Sequence, residues 1–179
     1  KTGLSNVANV VHSVDAYVLR CMERRCNYDM DEVTNASAIL VSEMTDRMSG
    51  KRSQVTEQTL NYYVDQYNRS TLADIVILPH LTDGNVGALE DAHIAKLLDI
   101  ITQMLRHKPF KLVTIHDAFH SHSNYCNFVR SHYREILADI ADSNLLDDLL
   151  SQVYGTKGTF PKLSNNLGEL IRKSNYGLS

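Results

Sequence analysis

Lys111-Leu112-Val113-Thr114-Ile115-His116-Asp117-Ala118-Phe119-His120-Ser121-His122 is the stretch that decides the fold. Leu112-Val113-Thr114-Ile115 is a short run of β-branched and apolar residues, and Ala118-Phe119-His120-Ser121-His122 is a second, alternating run. The adjacent pair His116-Asp117 separates them. Two such runs around a polar pair predict a strand, a tight turn and a return strand. An Asp on such a turn points its carboxylate out of the sheet, where a Mg²⁺ ion can meet it. The rest of the chain reads mostly as helices that carry this hairpin.

Upstream, residues 9–25 place Val10, Val11, Val14, Tyr17, Val18, Cys21 and Met22 at helical spacing, with Ser5 and Asn6 as caps ahead of them. Residues 27–35 hold three acidic side chains and polar breakers and read as a connection. Helices are expected over 36–48, 55–67 and 88–106, with a loop at 49–53, a turn at 82–85 and a buried strand or short helix over 72–78. Pro109 blocks the long amphipathic helix from continuing into the hairpin. After the hairpin, helices are expected over 123–141 and 144–154. The glycine-rich tail reads as an extended arm with one helical turn at 167–172. The class is therefore α+β, predominantly helical, with a small antiparallel β-hairpin.

The chain has 179 residues, of which 43% are hydrophobic and 22% charged, enough for a core of fair size. No run reaches the roughly 18 apolar residues of a membrane span, and no membrane partner is expected. No basic segment followed by an apolar run opens the chain, so no signal peptide is read. Lys1 in place of Met points to a piece of something longer or a processed subunit. Cys21, Cys26 and Cys126 are too few and too unevenly spaced for a disulfide framework or a zinc site, and favour a reducing compartment. Net charge is −3, whereas a free-standing nucleic-acid binder is usually basic. The charges are uneven, however. Asp139, Asp142, Asp147 and Asp148 are followed by a tail with Lys157, Lys162, Arg172 and Lys173, so the average can hide a local groove.

Three constellations carry possible chemistry. His116-Asp117 is either an ordinary turn or a metal-holding one. Phosphoryl and nucleotidyl transfer need carboxylates that hold Mg²⁺ against phosphate oxygens, and a two-metal site needs a second carboxylate from elsewhere. Asn9, His12, Ser13 and Asp15 interrupt an apolar helix, with Asn9, His12 and Ser13 near one face. They form a surface strip or a working face. His116, His120 and His122 at strand spacing offer zinc or copper ligands, although the turn separates the first from the others and no Cys completes the set.

Taken in order, Asn9-x-x-His12-Ser13-x-Asp15-Ala16, then Thr114-Ile115-His116-Asp117-Ala118-Phe119, then the end Leu170-Ile171-Arg172-Lys173-Ser174-Asn175-Tyr176-Gly177-Leu178-Ser179, the chain resembles the single-subunit DNA-dependent RNA polymerases of phages and mitochondria. The resemblance implies a nucleotidyltransferase palm with two Mg²⁺ ions. It makes Asp117 a catalytic, metal-coordinating aspartate and His116 its neighbour near the primer end. It sets His12 against the newest base pairs from the minor-groove side, with Asn9, Ser13 and Asp15 on the same nucleic-acid-binding helix, and brings the Ser179 carboxylate near the active site. The implied partners are a DNA template, an RNA product and nucleoside triphosphates. The other catalytic Asp and the nucleotide-gripping Lys/Arg and Tyr are not recognisable here, so an upstream segment or second subunit must carry them.

The two motifs stand much farther apart than the family usually has them. The chain then divides into 1–26, the motif helix; 27–106, a helical insertion; and 107–179, hairpin, helices and tail. The expected setting is the cytoplasm, that of the host for a phage enzyme. Three other readings stay open: a related DNA polymerase, whose hairpin usually reads His-Asp-Glu where Ala118 follows here; an HD-type metal phosphohydrolase using His93, His116-Asp117 and Asp139 or Asp142; and a non-enzymatic helical interaction module.

Overall fold

Helix α1 (Leu4–Cys26) buries the side of its C-terminal half that carries Val18, Cys21, Met22 and Cys26. These positions recur every three to four residues, so they form one stripe. The stripe meets Phe110 and Leu112, just before the hairpin, and Val129 and Ile136 of helix α5 (Cys126–Asp142) in a single apolar core. Met22 is completely buried, and removing such a side chain from water stabilises the fold by about 1.5–3 kcal/mol. The computed structural model describes residues 4–115 and 118–175.

A second core lies wholly between Tyr28 and Met104. Helices α2 (Met30–Met48), α3 (Asn61–Ser70) and α4 (Asp91–Met104), with 3₁₀ turns at Ile75–His80 and Val86–Ala88, build it. Leu40, Leu60, Ile77, Leu89, Ile94, Leu97, Ile101 and Met104 fill it. The chain leaves this core where it entered. The Phe110 N–H donates to the Cys26 carbonyl at 2.8 Å. The Tyr28 hydroxyl lies between the Met104 and His107 carbonyls, at 3.0 and 2.5 Å, and donates to them. Residues 27–109 thus form a closed excursion, and the segment after it rejoins α1.

Strands β1 (Val113–Ile115) and β2 (Ala118–His120) follow, then α5, α6 (Leu145–Tyr154) and α7 (Leu167–Lys173). Helix α7 docks on α5. Gly168 permits this, because a Cβ there would stand 2.0 Å from Asp142 Oδ1. Arg172 then reaches Glu135 and Asp139 at 3.0 Å each and Asp142 at 2.6 Å. The acidic stretch and the basic tail of the sequence are therefore partly each other's partners. The α+β class with a helical majority and one small antiparallel sheet is as expected.

Several expectations for individual elements are corrected. Ser5 and Asn6 lie inside α1, since no Pro or Gly interrupts the turn from Leu4 to Asn9. The supposed connection at 27–35 is mostly helix. Asp29 caps α2 by accepting from the Asp31 and Glu32 N–H groups at 2.9 and 3.0 Å, and the acidic side chains of that turn suit the positive end of the helix. Residues 55–60 are not helical. The Thr56 and Glu57 N–H groups bond to the Gly84 carbonyl, and Arg52 donates to the Gly87 and Leu89 carbonyls at 2.9 Å each. These anchors hold the segment across the 3₁₀ turn and delay α3 to Asn61. Helix α4 starts at Asp91 rather than 88, because Val86–Ala88 closes as a 3₁₀ turn. No helix among the described residues is long and apolar enough to cross a membrane.

The closure makes a direct prediction. Tyr28→Phe removes the hydroxyl and leaves two buried carbonyls without it. The variant should lose about 1–3 kcal/mol in urea unfolding and keep its helical circular dichroism. An unchanged midpoint would show that the hydroxyl does not hold the junction.

Candidate functional site: the hairpin and the polar face of α1

β1 and β2 pair antiparallel, with Val113 opposite His120, Thr114 opposite Phe119 and Ile115 opposite Ala118. Residues 116 and 117 alone separate the two strands in sequence. His116 and Asp117 themselves lie outside the described residues, as does the 176–179 end that was expected near an active site. What the structure does set is the platform under the turn. Alternation sends Thr114 and Phe119 to the half-buried side, where Phe119 lies 5.7 Å from the Tyr133 ring. Val113, Ile115, Ala118 and His120 face outward, with Ile115 56% exposed. Below, Phe110 stacks on Tyr125 at 4.2 Å, which ties the approach to β1 to the start of α5.

Helix α1 shares that core, and on the turns before its buried stripe it carries Asn9, His12, Ser13 and Asp15. All four are exposed. The Ser13 hydroxyl donates back to the Val10 carbonyl at 2.7 Å, a local bond that leaves its oxygen free to accept. The other three keep donors and acceptors turned to solvent. Asn9, His12 and Ser13 thus lie near one polar face of the helix, while Asp15 stands on the stripe's side, three and seven residues before Val18 and Met22, on the turns that precede the buried part. His120 and His122 are both exposed, and His122 falls beyond the end of β2. Among the described residues no three His, Cys, Asp or Glu side chains form a metal-holding group.

Of the residues weighed for a hydrolase, His116 and Asp117 lie outside the described residues, and the others have structural partners. His93 is buried in the 28–104 core, stacked on Tyr67 at 3.8 Å and 2°. Asp139 and Asp142 are engaged by Arg172. Burial pushes the Cys21 and Cys26 thiols up to about 12, so neither is a nucleophile at neutral pH.

One buried polar cluster escaped the sequence reading. His107 Nδ1 donates to the Lys108 carbonyl at 3.0 Å, so its Nε2 accepts from His132 Nε2–H at 2.7 Å. His132 Nδ1 is left without a partner, and so is Nη1 of the buried Arg25, whose Nη2 sits 3.5 Å from Asp139. Burial, then the positive charge of Arg25 and the neighbouring His107 ring, which could not share a second charge, push the His132 imidazole down to about 3. Burial lowers His107 as well and takes His93 down to about 4. The pair lies 25 residues apart in sequence, so no spacing pattern announces it.

With the geometry in view, comparison with known proteins adds no assignment: no family model and no curated sequence matches the chain.

The buried histidines predict that the protein loses stability in acid. Each is neutral when folded, but the unfolded chain takes up its proton near pH 6.5. Stability is therefore full above pH 6.5 and falls as pH drops from there towards 4 and 3, by up to about 1.4 kcal/mol per pH unit for each histidine. His93→Phe keeps the stack on Tyr67 and removes an unpartnered buried nitrogen. Thermal melts at pH 7 and pH 5 should show the variant at least as stable at pH 7 and less weakened at pH 5. An equal fall in both proteins would rule out His93 as a source of the acid sensitivity.

Proposed function

We propose that this chain is the C-terminal part of a DNA-dependent RNA polymerase of the single-subunit kind, catalysing template-directed nucleotidyl transfer. The observation that carries the reading is the closure at Cys26 and Phe110. The two motifs, though far apart in sequence, stand on elements that share one core, because the residues between them fold on themselves and return. This is what a polymerase palm with an insertion between its motif helix and its His-Asp hairpin requires. The two-residue connection between paired strands supports the same reading.

The residues present fit half of a two-metal site. Asp117 is one carboxylate, and Val113, Ile115, Ala118 and His120 beside it add none. Two Mg²⁺ ions are held only when an upstream segment or second subunit contributes its Asp. Asp117 and that second Asp would hold the ions, which would supply acidity to the RNA 3′-hydroxyl and charge stabilisation to the pyrophosphate. The chain's own work is placement. Asp117 fixes one ligand set on a rigid hairpin, and His116 orients the turn at the primer end. His12 lies against the minor-groove edge of the newest base pairs, with Asn9, Ser13 and Asp15 on the same nucleic-acid-binding helix and Ser13 and Asp15 supporting it. The exposed apolar side of the hairpin, Val113 and Ile115, is where the missing part of the palm would pack. A phage enzyme in the host cytoplasm fits the three free cysteines, two buried and Cys126 exposed.

The test is RNA synthesis on a template by the chain purified with its upstream partner. Asp117→Ala should lower elongation by on the order of 10³ or more without weakening subunit association. Elongation at the wild-type rate would remove Asp117 from the chemistry. Parallel reactions with only ribo- or only deoxyribonucleotides distinguish this reading from the related DNA polymerase.

A further inference from the structure

Between α1, α3 and the 3₁₀ turn Ile75–His80 lies a cleft of about 390 Å³, within the size range of small-ligand sites. Its walls combine two arginines of α1, Arg20 and Arg24, with three tyrosines, Tyr17, Tyr62 and Tyr63. Arg20 and Arg24 are four residues apart, so they stand on one face of the helix. Arg24 is held in place by Asp74 at 3.2 Å, and Asp74 is itself fixed as the cap of the 3₁₀ turn, accepting from the Val76 N–H at 3.0 Å. Arg20 is exposed and forms no ion pair among the described residues. Two cations against one carboxylate leave the cleft locally positive in a chain of net charge −3.

The aromatic wall is equally specific. Tyr63 is stacked on His80 at 5.3 Å and 19°, which fixes its ring. Tyr62 packs edge-on against Tyr63, at 5.5 Å and 78°, and remains 68% exposed. A large ring braced on one side and open on the other is a stacking platform. An unpaired guanidinium across from it is a phosphate donor in planar, bidentate geometry. Positive charge with open aromatic rings is how proteins hold single-stranded nucleic acid without reading its sequence.

We propose that this cleft binds a nucleotide, with the base stacked on Tyr62 and the phosphate on Arg20. That unit comes either from a single strand laid along α1 or from a free nucleoside phosphate. The choice of a nucleotide over other anionic ligands rests on the polymerase reading. The site itself is separate from the hairpin and belongs partly to the excursion between residues 27 and 109. It gives that excursion a task, which is to carry one wall of a nucleic-acid path that begins on the polar face of the same helix.

The experiment is fluorescence anisotropy of a labelled thymidine oligonucleotide with the 179-residue chain, and competition by unlabelled mononucleotide. Tyr62→Ala should weaken binding about tenfold, while Tyr62→Phe, which keeps the ring, should bind as the wild type does. Arg20→Gln should weaken it and reduce the slope of log affinity against log salt by about one. Both side chains are exposed, so circular dichroism should be unchanged. Competition by mononucleotide at its own binding concentration identifies a free nucleotide as the ligand, and its failure identifies a strand. Either outcome supports a nucleotide site. No binding by the wild type, or equal binding by Tyr62→Ala and Arg20→Gln, overturns it. Asp117→Ala should bind the oligonucleotide normally. If it alone loses binding, the strand sits at the hairpin, and the cleft proposal fails while the polymerase reading stands.

Discussion

The hydrogen bond from the Phe110 N–H to the Cys26 carbonyl is the constraint on which the rest of the structure depends. It sits at the mouth of an excursion of some eighty residues, and it decides that the chain re-enters the core it left. Closing so long a loop costs entropy, but that cost grows only slowly with length. The Tyr28 hydroxyl and the 28–104 core offset it by making the excursion self-supporting. With the mouth closed, Phe110 and Leu112 drop onto the α1 stripe, and β1 begins in a defined place. A slip of one residue there would turn Phe119 out and Ile115 in, because a strand reverses face with every residue.

From that junction the site follows by packing rather than by contact between motifs. Helix α1 cannot rotate, since Val18, Cys21 and Met22 are buried, so its polar residues present a fixed face. The hairpin cannot peel away while Phe119 and the Phe110–Tyr125 stack hold it on α5. Helix α7 adds a brace behind α5 through Arg172. Such rigid support is what a metal-holding turn needs, because a carboxylate displaced by an ångström loses much of its effect. The buried His107–His132 bond lies in the same junction and supplies polar specificity there, with a dependence on neutral pH.

The parts of this arrangement with a short sequence period were legible in advance. The α1 stripe repeats every three to four residues, and the hairpin alternates around a polar pair, so both could be read from neighbouring residues alone. The motif residues Asn9, His12, Ser13 and Asp15 were legible as polar interruptions; the exposure of Asn9 and Ser13 follows from the stripe opposite them, whereas Asp15 is exposed because it precedes the buried half of the helix. What could not be read depends on distant partners. Residues 55–60 have helical spacing, yet Gly84, Thr82 and Asn85 hold them as a loop, with Arg52 anchored just before on the Gly87 and Leu89 carbonyls. His93, which the hydrolase alternative would use, is a stacked core residue, and its partner Tyr67 is 26 positions away. The 29–35 stretch is a different case. Asp29 with two acidic residues close after it is a helix start by local rules, and its cap outweighs the polarity of the stretch.

The most direct test of this account is hydrogen exchange at the Phe110 amide, followed by NMR. If the excursion closes as described, that amide should exchange as slowly as those of Met22 in α1 and Ile136 in α5, and only through global unfolding. Rapid exchange at Phe110 while Met22 and Ile136 stay protected would contradict it. The hairpin would then not be tied to α1, and the shared core that joins the two motifs would be lost.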